Sequence, residues 1–176
     1  MQKVYVWDPL VRLFHWSLAI SFAANAFVVD QDSDLHEYIG YTVMGLVLIR
    51  IVWGFVGTQY ARFKSFPPSV SDSLEQLTDL ALRRKHLHLG HTPLGALMIY
   101  NLLASLLLLT LSGFLMTTDL FWGTEWTEEL HEACVNWIEF SLVLHIGAVI
   151  YESHRTKINL TYAMVNGSKT IPETGE

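Results

Sequence analysis

The sequence predicts an all-α integral membrane protein: a four-helix bundle with both termini cytoplasmic and a short amphipathic helix in its inner loop. Three observations predict it. The chain is 51% hydrophobic and 12% aromatic, with a mean hydropathy of +0.31, and its apolar residues gather in four blocks. Each block approaches the ~20 residues that cross the hydrocarbon core of a bilayer. All eleven Lys and Arg then fall on one side of those blocks, as the preference of cytoplasmic loops for cations demands. Finally, histidines recur inside the blocks at matched depths, where an apolar span rarely carries even one.

The elements follow in order. The first span covers about residues 10–29, with Lys3 and Arg12 at its inner end; it contains His15 and lacks a small-residue cleavage site, so it reads as a span and not a signal peptide. Residues 30–35 form an outer turn without a cation. The second span, 36–56, opens on His36 and carries Arg50 near its inner end. A long inner connection, 57–92, contains Pro67-Pro68 and then a segment in which Ser71 or Ser73 caps a short helix. Val70, Leu74, Leu77 and Leu80 make an apolar stripe on it, suited to the inner membrane surface. The third span is 93–116, and a cation-free outer connection leads to the fourth, 131–151. Arg155, Lys157 and Lys169 follow it, and residues 162–176 read as a frayed polar tail. No repeat, linker or low-complexity tract divides the chain, so residues 1–176 are expected to form a single domain.

The net charge of −6 conceals a strong polarity. Nine carboxylates (Asp30, Asp32, Asp34, Glu37, Asp119, Glu125, Glu128, Glu129 and Glu132) lie on the outer side, over a basic inner side. Trp122 and Trp126 outside, with Trp7, Trp16 and Trp53 inside, suit interfacial belts. The expected location is the bacterial inner (cytoplasmic) membrane, multi-pass, with lipid as surroundings and no nucleic-acid partner. The single cysteine, Cys134, excludes an internal disulfide, a c-type haem attachment and a Cys-ligated iron–sulfur cluster.

The chemistry rests on four histidines. His131 and His145 are fourteen residues apart, ~21 Å along a helix and only ~40° around it. Span four runs outside to inside, placing His131 near the outer surface and His145 near the inner. Span one starts inside and places His15 on the inner side; span two starts outside and places His36 on the outer. Depth therefore pairs His15 with His145, and His36 with His131. Two haems b stacked across the bilayer, each iron held by a pair of neutral imidazoles, account for the set. Two imidazoles with no thiolate or carboxylate make an incomplete zinc site. Gly40, Gly45 and Gly147 offer room for a planar ring, and Arg12 and Arg50 are candidate propionate contacts at the inner haem. His86, His88 and His91 form an H-x-H-x-x-H run beside three cations and read as a solvated turn, with His91 allowed a propionate contact. His154 reads as solvated. Glu139 falls mid-span, either as a proton relay or quinone contact, or as a protonated carboxyl bonded to Asn101 or Asn25.

On these residues the chain resembles the bacterial cytochrome b561 and nickel–iron hydrogenase cytochrome b superfamily. The motifs are VWDPLVRLFHW at 6–16, HEYIGY at 36–41 followed by RIVWGF at 50–55, GHTPLGALM at 90–98, and the pair His131 and His145. The likeness spans about residues 4–165. It implies two b-type haems and exchange of electrons between membrane quinone and a redox partner.

The expected function is thus transmembrane electron transfer between the quinone pool, a candidate substrate, and a periplasmic redox protein. The acidic outer face favours a cationic c-type cytochrome. Two alternatives stand beside it. One is a superoxide:quinone oxidoreductase acting at the outer haem, which an outer face of nine carboxylates and no cation opposes by repelling an anionic substrate. The other is a membrane-anchor cytochrome b subunit of a hydrogenase or other reductase. Whether the chain is itself an enzyme or an electron-transfer subunit is left open by the residues. A non-redox helical bundle would leave the four histidines unexplained.

Overall fold

A computed structural model describes residues 2–82, 84 and 89–171. Its elements are β1 (Gln2–Tyr5), α1 (Pro9–Phe27), α2 (Asp34–Val56), a short 3-10 turn (Phe63–Ser65), α3 (Val70–Ala81), α4 (Pro93–Met116), α5 (Glu125–Thr156), α6 (Leu160–Asn166) and β2 (Ser168–Ile171). Helices α1, α2, α4 and α5 are each long and apolar enough to cross a membrane.

Local chemistry sets the starts. Asp8 caps α1, accepting from the Val11 amide at 2.9 Å, and Pro9 supplies the preset φ of a first helical position. Thr92 and Pro93 repeat the device on α4, with Thr92 accepting from the Gly95 amide at 3.1 Å. Ser33 caps α2. Ser69 caps α3, two residues before the earlier of the expected caps, because its hydroxyl oxygen reaches the Asp72 amide.

Helix α5 is the longest, 32 residues, and extends beyond the expected span at both ends. At ~1.5 Å per residue it is ~48 Å long against ~30 Å of hydrocarbon. Its surplus turns are polar, with Glu125 and Glu128 in the first and His154 and Arg155 in the last, each matching the sign of the helix dipole. A hydropathy reading stops where these charges begin, but the helix does not.

In the bundle α1 packs on α2, α2 on α4, and α4 on α5. The core is Phe22, Val43, Val47, Leu106, Leu109, Cys134 and Ile138. Around it the outer surface is apolar too: Leu13 is 69% exposed, Ile20 67% and Val143 70%. A surface of that kind is matched to lipid chains rather than to water. The protein is a helical, multi-pass membrane bundle.

The expected frayed tail is corrected as far as residue 171; residues 172–176 lie outside the described residues. Residues 160–166 form α6, and Ser168–Ile171 pairs antiparallel with Gln2–Tyr5, Tyr5 opposite Ser168 and Gln2 opposite Ile171. The Val6 and Trp7 amides both donate to the Gly167 carbonyl, at 2.8 and 3.0 Å, and Gly167 takes φ 86°, a conformation that favours glycine. Val6, Trp7 and Ala163 pack beneath this clasp. The first and last described segments therefore close one end of the bundle, together with α3, whose Gln76 side chain accepts from the Leu94 amide at 2.9 Å. This is the end that carries the cations; the 117–124 turn and the N-termini of α2 and α5 make the opposite, acidic end.

Candidate haem-binding site

The bundle brings the four histidines together in the two pairs that depth requires. The His15 and His145 rings have centroids 6.4 Å apart, tilted by 53°; those of His36 and His131 are 6.3 Å apart, tilted by 59°. Each pair bridges helices that are not successive in the packing order, α1 to α5 and α2 to α5. A metal shared by two imidazoles at ~2.0–2.1 Å on each side sets the ring centres ~6 Å apart once half of each ring is added. Both pairs meet that spacing, which is too wide for a direct hydrogen bond and too regular for casual packing. Among the described residues no three His, Cys, Asp or Glu side chains converge as a metal cluster. Two imidazoles alone suit an iron whose other four ligands come from a macrocycle.

Buried nitrogens without a protein partner support the same fit. They are His15 Nδ1, His36 Nδ1, Arg12 Nε and Arg50 Nη1. Leaving such groups unsatisfied costs ~1–3 kcal/mol each; two of them belong to histidines of the two pairs and two to arginines, and a polar group from outside the chain would satisfy them. Arg50 is 4% exposed, with its guanidinium 5.4 Å above the Phe63 ring. Phe63 occupies the space left by Gly54: a Cβ there would stand 2.2 Å from its Cε2 atom. Arg12 donates one Nη1 bond to the Val165 carbonyl, joining α1 to the C-terminal segment.

Second-layer contacts differ between the pairs. His131 Nδ1 lies 3.1 Å from Ser112 Oγ, and the ring edge packs on Gly113, where a Cβ would come within 3.2 Å. The Ser112 hydroxyl itself donates to the Leu109 carbonyl at 2.8 Å. Its lone pair therefore faces the ring, so Nδ1 carries the proton and Nε2 is left basic, the form that ligates metal. Asn25 donates to the His36 carbonyl at 3.1 Å, holding α1 against the first turn of α2. Sequence reading missed Ser112 and Gly113; the signal for them was a small polar Ser-Gly step in span three at the depth of His131.

At the basic end Asp8 is a hub. Besides capping α1, it accepts from Thr58 Oγ1 and from Trp53 Nε1 at 3.2 Å, tying the start of α1 to the end of α2. Burial pushes its carboxyl up, but the hydrogen bonds from Thr58, Val11, Trp53 and Leu10 outweigh it and hold the group below the usual carboxylate range.

Several expectations need correction. His91 is not solvated: its ring packs, tilted, between Trp7 at 4.7 Å and Phe66 at 4.3 Å. Desolvation, with the nearby charges of Lys169 and Arg50, pushes it down to about 3. Lys169, expected in a polar tail, is 6% exposed, donates to the Gly90 carbonyl at 2.9 Å and sits over the Trp7 ring; burial lowers it to about 8. His86 and His88 lie outside the described residues. Gly40 lies four residues after His36 and ~40° round the helix, on the same face, with nothing within 4 Å of where its Cβ would stand, whereas Gly45 and Gly147 are ~180° and ~200° from His36 and His145 and face away. Neither Asn101 nor Asn25 receives Glu139: Asn101 bonds Ser141 and Trp137, and Asn25 bonds the His36 carbonyl.

Comparison with family models matches residues 6–167 to the one described as prokaryotic cytochrome b561. Comparison with curated proteins and with solved structures finds no match.

Proposed function

Since the chain belongs to the prokaryotic cytochrome b561 family, whose members move electrons across membranes on b-type haem, we propose that it holds two such haems and links membrane quinone to a periplasmic redox protein. The observation that carries the reading is the pair of imidazole pairs, with centroids 6.4 and 6.3 Å apart at two depths of one bundle. His15 and His145 ligate at the basic end, His36 and His131 at the acidic end. Arg12 and Arg50, each with a buried nitrogen lacking a protein partner, meet propionates at the basic end. When bound, b-type haem supplies reversible one-electron chemistry; the residues here hold it, set its charge environment and keep water from it.

The cation segregation supports a basic end and both termini in the cytoplasm, with the bundle in the bacterial inner membrane. The acidic end then faces the periplasm, where nine carboxylates steer a cationic partner such as a basic c-type cytochrome. The same field repels superoxide, so an electron-transfer role is favoured over oxidation of that anion.

The test is a pyridine haemochrome count with a reduced-minus-oxidised spectrum on purified protein. Two haems b per chain support the reading. One would make one histidine pair structural, and none would end it.

A further inference from the structure

Two polar side chains of α5 sit at mid-bundle without partners. The Asn101–Ser141 hydrogen bond (2.9 Å) and the Ser112–His131 contact (3.1 Å) set the levels of the antiparallel helices α4 and α5. Midway along Pro93–Met116, Ala104 and Ser105 are level with about Ile138 and Glu139. Asn136 is exposed there and Glu139 half-buried, and among the described residues neither makes a hydrogen bond or ion pair. Asn101, about one turn away, is by contrast satisfied: it takes both Ser141 and the Trp137 indole. Lipid tails offer Asn136 nothing to bond, so something else must.

The face around it says what. Asn136, Phe140, Val143, Gly147 and Ile150 follow one another at spacings of four, three, four and three, the repeat of a helix–helix seam. All five are exposed: Phe140 by 55%, Val143 by 70%, Ile150 by 54%. A Cβ at Gly147 would meet nothing within 4 Å, leaving a notch where another backbone can approach.

We infer that this seam is a self-association surface, occupied by α5 of a second copy of the chain, parallel to it and related by a twofold axis along the membrane normal. Copies inserted alike present each residue at equal depth, so Asn136 meets Asn136. A carboxamide has both donors and an acceptor and pairs with its own kind across such an axis. One polar residue in an apolar seam fixes register and partner number. The inference does not depend on what the histidines hold.

The experiment has two arms, on full-length, haem-loaded protein in lipid vesicles. Gly147→Cys and, as control, Leu48→Cys on the exposed side of α2 are oxidised and run on non-reducing gels; the native Cys134 is buried against α4 and serves as background. Dimers from Gly147→Cys alone are expected. Dilution of donor- and acceptor-labelled protein with lipid then measures affinity: Asn136→Leu weakens it about tenfold or more and Asn136→Gln largely restores it, with visible spectra unchanged. Equal cross-linking at both positions, a monomer at every dilution, or unaltered affinity in Asn136→Leu overturns the inference. So does an Asn136→Leu variant whose association is normal but whose binding of a short-chain ubiquinone is lost, since the face then serves quinone.

Discussion

Replacing Ser112 by alanine probes the acidic-end site at a single atom. Ser112 is 1% exposed, and its only proton is committed to the Leu109 carbonyl, so its oxygen accepts from His131 Nδ1. If His131 ligates a haem iron as proposed, that bond would make the imidazole a more basic ligand and favour the oxidised iron over the reduced one. A hydrogen bond of this kind contributes ~0.5–1.5 kcal/mol net. If the whole contribution is felt by the oxidised state, its loss raises the midpoint potential by ~20–60 mV, at ~59 mV per tenfold for one electron. The assay is a potentiometric titration followed in the visible, resolving two components. The acidic-end component rises in Ser112→Ala and the other stays. An unchanged pair of potentials, or an equal shift of both, would refute the assignment of Ser112 to His131.

Other expectations follow from the same geometry. His145→Ala loses the basic-end haem and keeps the other, and His131→Ala does the reverse, read from haem content per chain. Gly113→Val, which forces bulk against a ring that a Cβ already approaches to 3.2 Å, mimics His131→Ala, whereas Gly113→Ala keeps the haem with a shifted spectrum. Arg50→Gln removes a buried cation and lowers the basic-end potential by roughly tens of millivolts, since positive charge favours the reduced state. His91 is neutral in the fold down to about pH 3 but protonates near 6.5 when unfolded. The unfolded state thus binds the extra proton between those values, and stability falls as pH drops from about 6.5 toward 3. His91→Phe should flatten that slope in thermal melts at graded pH.

The bundle and its histidine pairs were legible because both follow from one-dimensional quantities: block length, cation placement, and a helical rise that converts residue number into depth. Glu125–Glu132 hid the first turns of α5 because hydropathy measures the solvent a helix meets, not the helix. The β1–β2 clasp was illegible for another reason. Gln2–Tyr5 and Ser168–Ile171 are four residues each, too short for a period to show, and their pairing is a contact across nearly the whole chain. His91 failed in the same way, since Trp7 and Phe66, which desolvate it, arrive from distant segments. Asp8 was readable and was passed over: an Asp before a Pro at the head of an apolar run is a cap signal.

The clasp also fixes an order of events in biosynthesis. Gln2–Tyr5 precedes all four spans in the chain and Ser168–Ile171 follows them, so β1 must wait unpaired while the four are made. At ~5–20 residues per second that delay is roughly ten to thirty seconds. Lys169 reaches its place over Trp7 only when β2 docks, and the Arg12–Val165 bond forms only when α6 arrives. The basic end is therefore closed last, after every span has been made.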